Sequence, residues 1–86
     1  MDKELNKRLS WKNLITTPKS DTTTFINYDK ERNILEVRFA DGVYHYFNVP
    51  PQVWEEYKTL VESGGSSGKF INFIIKPYYK YQKLED

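Results

Sequence analysis

The amino-acid sequence predicts an α+β fold: a three-stranded antiparallel meander packed against one main helix and a second short helix, with an N-terminal extension. Residues 22–49 predict the meander, because three runs rich in β-branched and aromatic residues are separated by turn residues. Residues 51–61 predict the main helix, because their apolar side chains recur at helical spacing. The chain has 86 residues, which is the size of one domain.

The three strands are expected at residues 22–28, 34–40 and 43–49. Asp41-Gly42 is a strong hairpin signal, and a two-residue loop there places Arg38 opposite His45. Since side chains alternate along a strand, one face of the sheet carries an apolar and aromatic set: Leu35, Val37, Phe39, Tyr44 and Tyr46. The other face carries Glu36, Arg38, His45 and Phe47. A four-residue loop at 30–33 adds Ile26 and Tyr28 to the first face, and Phe25 and Asn27 to the second.

Two helices are expected after the sheet. Pro51 suits the first turn of the main helix, whose apolar stripe is Val53, Trp54, Tyr57, Leu60 and Val61. This stripe needs an apolar partner, and the first face of the sheet provides one. Gly64-Gly65 permits a left-handed helix end. A second short helix is expected at 69–75 with Ser67 as a candidate N-cap, followed by an extended or irregular tail at 78–83.

Residues 1–19 form an N-terminal extension to a domain at 20–86. A short helix is one alternative for the extension, since a set of apolar side chains would lie along one side of it: Leu5, Leu9, Trp11, Leu14 and Ile15. A frayed extension is the other alternative.

The composition argues against several classes of chemistry. The chain has no cysteine and one histidine, so it lacks a thiol nucleophile, a thiolate zinc site and a readable nucleophile–base pair. We therefore expect no enzyme activity, no cofactor and no metal site. Neither a signal peptide nor a membrane span is visible, and a cytoplasmic setting is expected. The net charge of +1 disfavours a strong duplex binder.

Several motifs occur in a particular order along residues 20–84. They are Ile26-Asn27-Tyr28-Asp29, Leu35-Glu36-Val37-Arg38-Phe39, Tyr44-His45-Tyr46, Val49-Pro50, Ser67-Gly68-Lys69-Phe70, Asn72 and Ile75-Lys76. This ordered set resembles the KTSC domain, which is named for its occurrence at the C-terminus of some lysyl-tRNA synthetases. The resemblance implies a compact α+β fold but no established activity. RNA binding has been suggested for the family, largely from that attachment. The segment between the two helices, residues 62–68, is longer than the corresponding segment of the family, and the N-terminal extension lies outside the family pattern.

Two parts of the sheet are candidate binding surfaces. Tyr44 and Tyr46 are able to stack on bases, but their predicted face favours packing under the helix, with each hydroxyl at the edge of the core. The opposite face groups Phe25, Arg38 and His45 with Phe47, which is the composition of a stacking and phosphate platform. The competing interpretation is that Trp11, Leu14 and Ile15 cover that face, or that it forms a dimer interface.

Two lysine-bearing segments are candidate phosphate contacts. Residues 66–69 precede a helix and end in Lys69, a combination that binds anions in some proteins and is a plain linker in most. The tail interleaves aromatic and basic side chains: Lys76, Tyr79, Lys80, Tyr81 and Lys83. Such residues stack on bases and meet phosphates, or they pack and solubilise the domain.

The sequence therefore predicts a small binding module for RNA, single-stranded nucleic acid or a small nucleotide. A stand-alone module of this kind would sequester its ligand, and a homo-oligomer is one form in which it would do so. The alternative is a protein–protein interaction module that docks a partner through the outer sheet face or the N-terminal segment. No membrane partner is expected.

Overall fold

A computed structural model of the chain describes residues 7–85. The elements occur in the following order: a 3-10 turn at Trp11–Asn13, β1 Ile15–Thr16, β2 Thr23–Asp29, β3 Ile34–Phe39, β4 Gly42–Tyr46, α1 Pro51–Glu62, α2 Ser67–Phe70, a π-helical segment Ile71–Ile75 that continues α2, and β5 Tyr81–Lys83. The α+β class, the main helix and the second short helix are confirmed.

The sheet has five strands in the order β1-β2-β3-β4-β5, and all neighbours are antiparallel. The prediction of three strands is wrong. The two additional strands lie at the edges and have two and three residues. Segments this short carry no alternation pattern, so their strand character comes from pairing with β2 and β4.

The hairpin between β3 and β4 has a different register from the predicted one. Phe39 pairs with Gly42, so the loop is Ala40-Asp41, and the φ of Gly42 is +148°. Arg38 therefore lies opposite Val43, and Glu36 lies opposite His45. The predicted pairing of Arg38 with His45 is wrong. Because the slip is two residues and side chains alternate with a period of two, the predicted faces are kept.

The hairpin between β2 and β3 has the expected four-residue loop, since Asp29 pairs with Ile34. It places the predicted residues on each face. The inner face packs against α1 and the second helix and forms one core: Ile26, Tyr28, Leu35, Val37, Phe39, Tyr46, Val49, Trp54, Tyr57, Phe70, Ile71 and Ile75.

Aromatic stacking joins the helices to this core. Trp54 stacks on Tyr28 with ring centroids 5.3 Å apart, and Tyr57 stacks on Phe70 at 4.4 Å. Helix α1 ends at Glu62, and Gly64 just beyond it takes the expected left-handed conformation, with a φ of +87°. These contacts hold α1 on one face of the sheet and leave the other face to the N-terminal segment.

The described part of the extension forms the 3-10 turn and β1, in place of a continuous short helix. Leu5 lies outside the described residues. Leu9 is 7% exposed and is the apolar anchor of the segment, whereas Trp11 is 81% exposed. The expectation that Trp11 covers the outer face is therefore not met; Arg8 and Leu9 lie there instead. Ile15 pairs with Ile26 at the sheet edge.

Within residues 7–85, none of the helices combines the length and the apolarity that a membrane crossing requires.

Candidate functional site

A cleft of about 490 Å³ lies on the inner side of the sheet, beside β4 and β5. Its lining consists of Thr22, Phe39, Ala40, Asp41, Tyr44, Tyr46, Lys76 and Tyr81. Strand β4 places Tyr44 and Tyr46 on the same face because they are two residues apart. Strand β5 then pairs Tyr81 with Tyr46 and Lys83 with Tyr44, so the tail reaches the cleft through strand pairing.

The aromatic rings of the cleft form one continuous cluster. The Tyr81 ring centroid lies 5.6 Å from that of Tyr44 and 5.9 Å from that of Tyr46, and both pairs are tilted. Phe39 meets Tyr44 edge-on at 5.2 Å. Tyr46 is 2% exposed and Tyr81 is 62% exposed. Tyr46 therefore supports the wall of the cleft, and Tyr81 presents its ring at the rim.

Two lysines and one carboxylate surround these rings. The Nζ atom of Lys76 lies 5.1 Å from the Phe39 ring centroid, and the Nζ atom of Lys83 lies 6.0 Å from that of Tyr44. Lys83 is also 3.6 Å from the Asp41 Oδ2 atom, which accepts a hydrogen bond of 2.9 Å from the Tyr44 hydroxyl. The cleft thus combines flat aromatic surface with two ammonium groups.

The titration properties of the cleft follow from these contacts. The Tyr44 hydrogen bond, with Lys83 nearby, lowers the pKa of Asp41, so this carboxyl is ionised at neutral pH. The same hydrogen bond raises the pKa of Tyr44, and burial raises the pKa of Tyr46 to about 12. Both phenols stay neutral under ordinary conditions, which suits them to ring stacking and hydrogen bonding and not to acid–base chemistry.

The remaining predicted tail residues lie outside the lining of the cleft. Tyr79 packs against the core, and Lys80 is exposed while its backbone carbonyl accepts a hydrogen bond of 2.9 Å from the Phe47 N–H. Lys69 is also exposed. The structure therefore brings together Lys76, Tyr81, Tyr44 and Tyr46 with Lys83 at the margin, and it leaves Lys69, Tyr79 and Lys80 apart from them.

The N-cap of α2 differs from the candidate that the sequence offered. Ser66, and not Ser67, is the N-cap, since its Oγ accepts from the Lys69 N–H at 3.1 Å. The Ser67 side chain turns inward because the buried Tyr57 hydroxyl offers it a partner at 2.6 Å. Thr23 and Thr17 extend this chain of buried hydroxyls at 2.9 and 2.7 Å. This segment therefore fastens the second helix to α1 and β2.

The outer face of the sheet is covered where β3 and β4 carry Glu36 and His45. His45 is 1% exposed, and its Nε2 atom lies 2.8 Å from the Glu36 Oε2 atom. Arg8 crosses above them, with its guanidinium 4.8 Å from the Phe25 ring centroid. His45 therefore faces a carboxylate and is not open to a ligand, and Arg38 remains half-buried on the same face. On this face Arg8 and Leu9 cover Glu36 and His45, whereas Phe25, Arg38 and Phe47 are half-buried.

Sequence reasoning missed Asp41, Phe39 and Thr22 as cleft residues and Glu36 and Asn27 as a polar centre. Asp41 was interpreted only as part of the hairpin turn, and Phe39 was assigned to the apolar face of the sheet. Glu36 and Asn27 occupied alternating strand positions that usually face water. No local pattern marks a strand carboxylate for burial by a segment 28 residues away. Among residues 7–85, no group of three or more His, Asp or Glu side chains is arranged to hold a metal ion.

Comparison with known proteins agrees with this architecture. The family model of the KTSC domain matches residues 19–79, so the chain belongs to the KTSC domain family. The match begins after the segment that crosses the outer face.

Similar proteins include free-standing chains and a segment of a much longer enzyme. An uncharacterized protein of Stutzerimonas stutzeri is 37% identical over 68 residues, which are 77% of this chain and 90% of the relative. A lysine–tRNA ligase of Nostoc punctiforme is 31% identical over 68 residues, 78% of this chain but 11% of the ligase. The crystal structure of a KTSC domain protein from Yersinia pestis matches with a TM-score of 0.63 and 30% identity, covering 77% of this chain and 89% of that one.

Proposed function

We propose that this KTSC domain is a small non-enzymatic binding module whose ligand is single-stranded RNA or a small nucleotide. The observation that carries the proposal is the cleft in which Tyr44 and Tyr81 stand beside Lys76 and Lys83. Base stacking on aromatic rings is how single-strand binders gain affinity without duplex geometry. Ammonium groups beside such rings match the phosphate of a nucleotide.

The shape of the cleft favours a ligand of limited size. A volume of about 490 Å³ lies in the range of small-molecule sites, whereas a duplex would need a long basic surface. In the proposed pose the base lies on the exposed ring of Tyr81 next to Tyr44, with phosphate at Lys76 and Lys83. Lys80 and Lys69 would serve only a longer strand that continues past the cleft.

The polar groups of the cleft add a preference within this class. Asp41 is ionised and accepts hydrogen bonds, so it favours a base edge that presents N–H donors. Thr22 offers a hydroxyl in the same lining. The domain would sequester a small nucleotide in a cytoplasmic setting, because sequestration needs no catalytic group.

A second cavity of the molecule is less suited to such a ligand. It measures about 310 Å³ and lies between the loop after β1 and the end of α1. Its lining contains Lys19 but no aromatic ring. Without a stacking surface, a base gains little there beyond what water provides.

The test is a calorimetric titration of the purified protein with short single-stranded RNA and with mono-, di- and cyclic nucleotides at low and moderate salt. We expect saturable binding that weakens as salt rises. For single-stranded RNA, the logarithm of the association constant should fall against log salt with a slope of roughly −1.4, about −0.7 for each of two phosphates. Lys76→Glu should weaken binding at least about tenfold, because it places a like charge beside the phosphate.

The matched control is Lys30→Glu, which makes the same charge change in the turn between β2 and β3, at the far end of the β3 strand. It should leave affinity within about twofold. Tyr81→Ala should cost about 1–3 kcal/mol of binding free energy if a base stacks there. The absence of any saturable signal, or an equal loss from Lys30→Glu and Lys76→Glu, would contradict the proposal and favour a protein partner.

A further inference from the structure

The N-terminal segment makes a dense set of contacts with the outer face of the sheet. The Arg8 guanidinium donates to both oxygens of Glu36, from Nε at 2.9 Å and from Nη2 at 3.2 Å. The Leu9 N–H donates to the same carboxylate at 3.0 Å, and the Ser10 carbonyl accepts from Asn27 Nδ2 at 3.1 Å. Three consecutive residues are therefore held through one side-chain fork and two backbone groups.

The receiving groups are built by the sheet and are rigid. Glu36 on β3 is fully buried, and it also accepts from Asn27 at 3.0 Å and lies 2.8 Å from the His45 Nε2 atom. Phe25 on β2 supplies the ring under the guanidinium. Leu9 is 7% exposed, so the segment also has an apolar anchor.

These contacts have the features of peptide recognition. A charged fork selects arginine, backbone bonds hold an extended main chain, and a neighbouring apolar side chain fixes the register. The receiving residues lie within residues 19–79, which match the KTSC family model, whereas Arg8, Leu9 and Ser10 lie outside them. The site thus belongs to the domain, and the group that fills it belongs to the extension.

We propose that the outer face of the sheet is a binding site for an extended protein segment carrying an arginine followed by a large apolar residue, and that this chain fills it in cis with Arg8, Leu9 and Ser10. The occupant in trans is such a segment of a partner protein. It takes the place of the N-terminal segment and satisfies the same carboxylate.

The charge of Glu36 and the exposure of Arg8 support the replacement of the N-terminal segment by a partner segment. Glu36 has no contact with water once covered, so a displacing segment must bring a cation with it. The Arg8 side chain is 48% exposed, which allows it to leave without first opening the core. A tethered segment acts at an effective concentration in the millimolar range, so a competing segment binds weakly until the tethered one is weakened.

The experiment weakens the tethered segment in the full-length chain and supplies a peptide. The double variant Arg8→Ala/Leu9→Ala is titrated with a fluorescein-labelled peptide of residues 7–13 by fluorescence anisotropy. We expect saturable binding at least about tenfold tighter than to the wild-type chain, since the tethered segment competes only in the latter. A peptide with Arg8→Ala should bind at least about tenfold more weakly than the native peptide.

Further variants make the result specific to the site. Phe25→Ala in the double variant should weaken the peptide several-fold by removing the ring beneath the guanidinium. Lys58→Glu in the same background is the distant control, because Lys58 lies on α1 against the opposite face of the sheet, and it should leave the affinity unchanged. If the double variant does not fold by circular dichroism, the same titrations are read on Arg8→Ala alone. A folded variant that shows no saturable binding, or that binds both peptides equally, overturns the proposal.

This site lies on the face of the sheet opposite the aromatic cleft, so the two proposals fail independently. Peptide binding that persists in Lys76→Glu would place the peptide outside the cleft. Nucleotide binding that persists in Arg8→Ala/Leu9→Ala would place the nucleotide outside the outer-face site.

Discussion

Glu36 is the residue on which the outer face depends. Its carboxylate is buried yet ionised, because hydrogen bonds from His45, Arg8, the Leu9 N–H and Asn27 outweigh the desolvation that would otherwise raise its pKa. Glu36→Gln replaces one acceptor oxygen by an amide that donates, and it faces donors on every side. We expect a loss of about 2–4 kcal/mol in the free energy of unfolding, measured by urea denaturation at pH 7.

The control for this prediction is Glu31→Gln, the same substitution in an exposed turn. It should change the free energy of unfolding by less than about 0.5 kcal/mol. Equal effects of the two substitutions would show that the buried carboxylate network contributes nothing. Arg8→Ala should cost less than Glu36→Gln, because Arg8 is half-exposed and Glu36 keeps its other donors.

At the scale of the elements, α1 is held by packing and not by a side-chain cap at its first turn. Its N-cap is Pro50, which makes no side-chain capping bond, whereas Trp54 is 2% exposed and stacks on Tyr28. Trp54→Ala should therefore lower the free energy of unfolding by about 3–5 kcal/mol. Gln52→Ala on the exposed side of α1 is the matched control and should stay within about 0.5 kcal/mol. A Trp54→Ala loss below about 1 kcal/mol would contradict this account of the helix.

Elements with a long pattern could be predicted, and short edge strands could not. Strands β2 to β4 and helix α1 each carry enough residues for alternation or helical spacing to appear. Strand β1 has two residues and β5 has three, so their state is decided by partners distant in the sequence. The hairpin shows the same limit: Asp41-Gly42 marks the turn, but the loop is Ala40-Asp41, with Gly42 taking the positive φ just after it.

The candidate cleft was predictable in its residue types and not in its assembly. Alternation places Tyr44 and Tyr46 on the inner face, and the interleaved Lys76 and Tyr81 indicate a binding tail. Pairing of β5 with β4 is what brings Tyr81 beside them, and no spacing rule predicts that pairing. The predicted cross-strand partner of His45 was wrong, because a two-residue slip replaces Arg38 by Glu36 without changing the face on which His45 lies.

On the scale of the whole molecule, the sheet separates two chemistries. The inner side ends in a cleft lined by Lys76 and a cluster of phenol rings, with Lys83 at its margin, and the outer side holds a buried carboxylate under a guanidinium. The net charge of +1 hides this separation, because it sums 13 basic and 12 acidic residues over the whole chain. Local charge placement is therefore a better guide to partners of this domain than its net charge.

The same buried groups predict how the stability of the whole molecule depends on pH. The folded pKa of Glu36 is about 2, below its ordinary value of 4.5, so its contribution is complete above about pH 4.5 and is lost as the pH falls towards 2. Burial raises the pKa of Tyr46 to about 12, above its ordinary 10.0, so its contribution is complete below about pH 10 and is lost as the pH rises through 12. Urea unfolding between about pH 2.5 and 11 should give a plateau from about pH 5 to 10, with the free energy of unfolding falling on both sides of it. Glu36→Gln should flatten the acid limb while leaving the alkaline limb in place, and an unchanged acid limb in this variant would mean that other carboxyls govern acid unfolding.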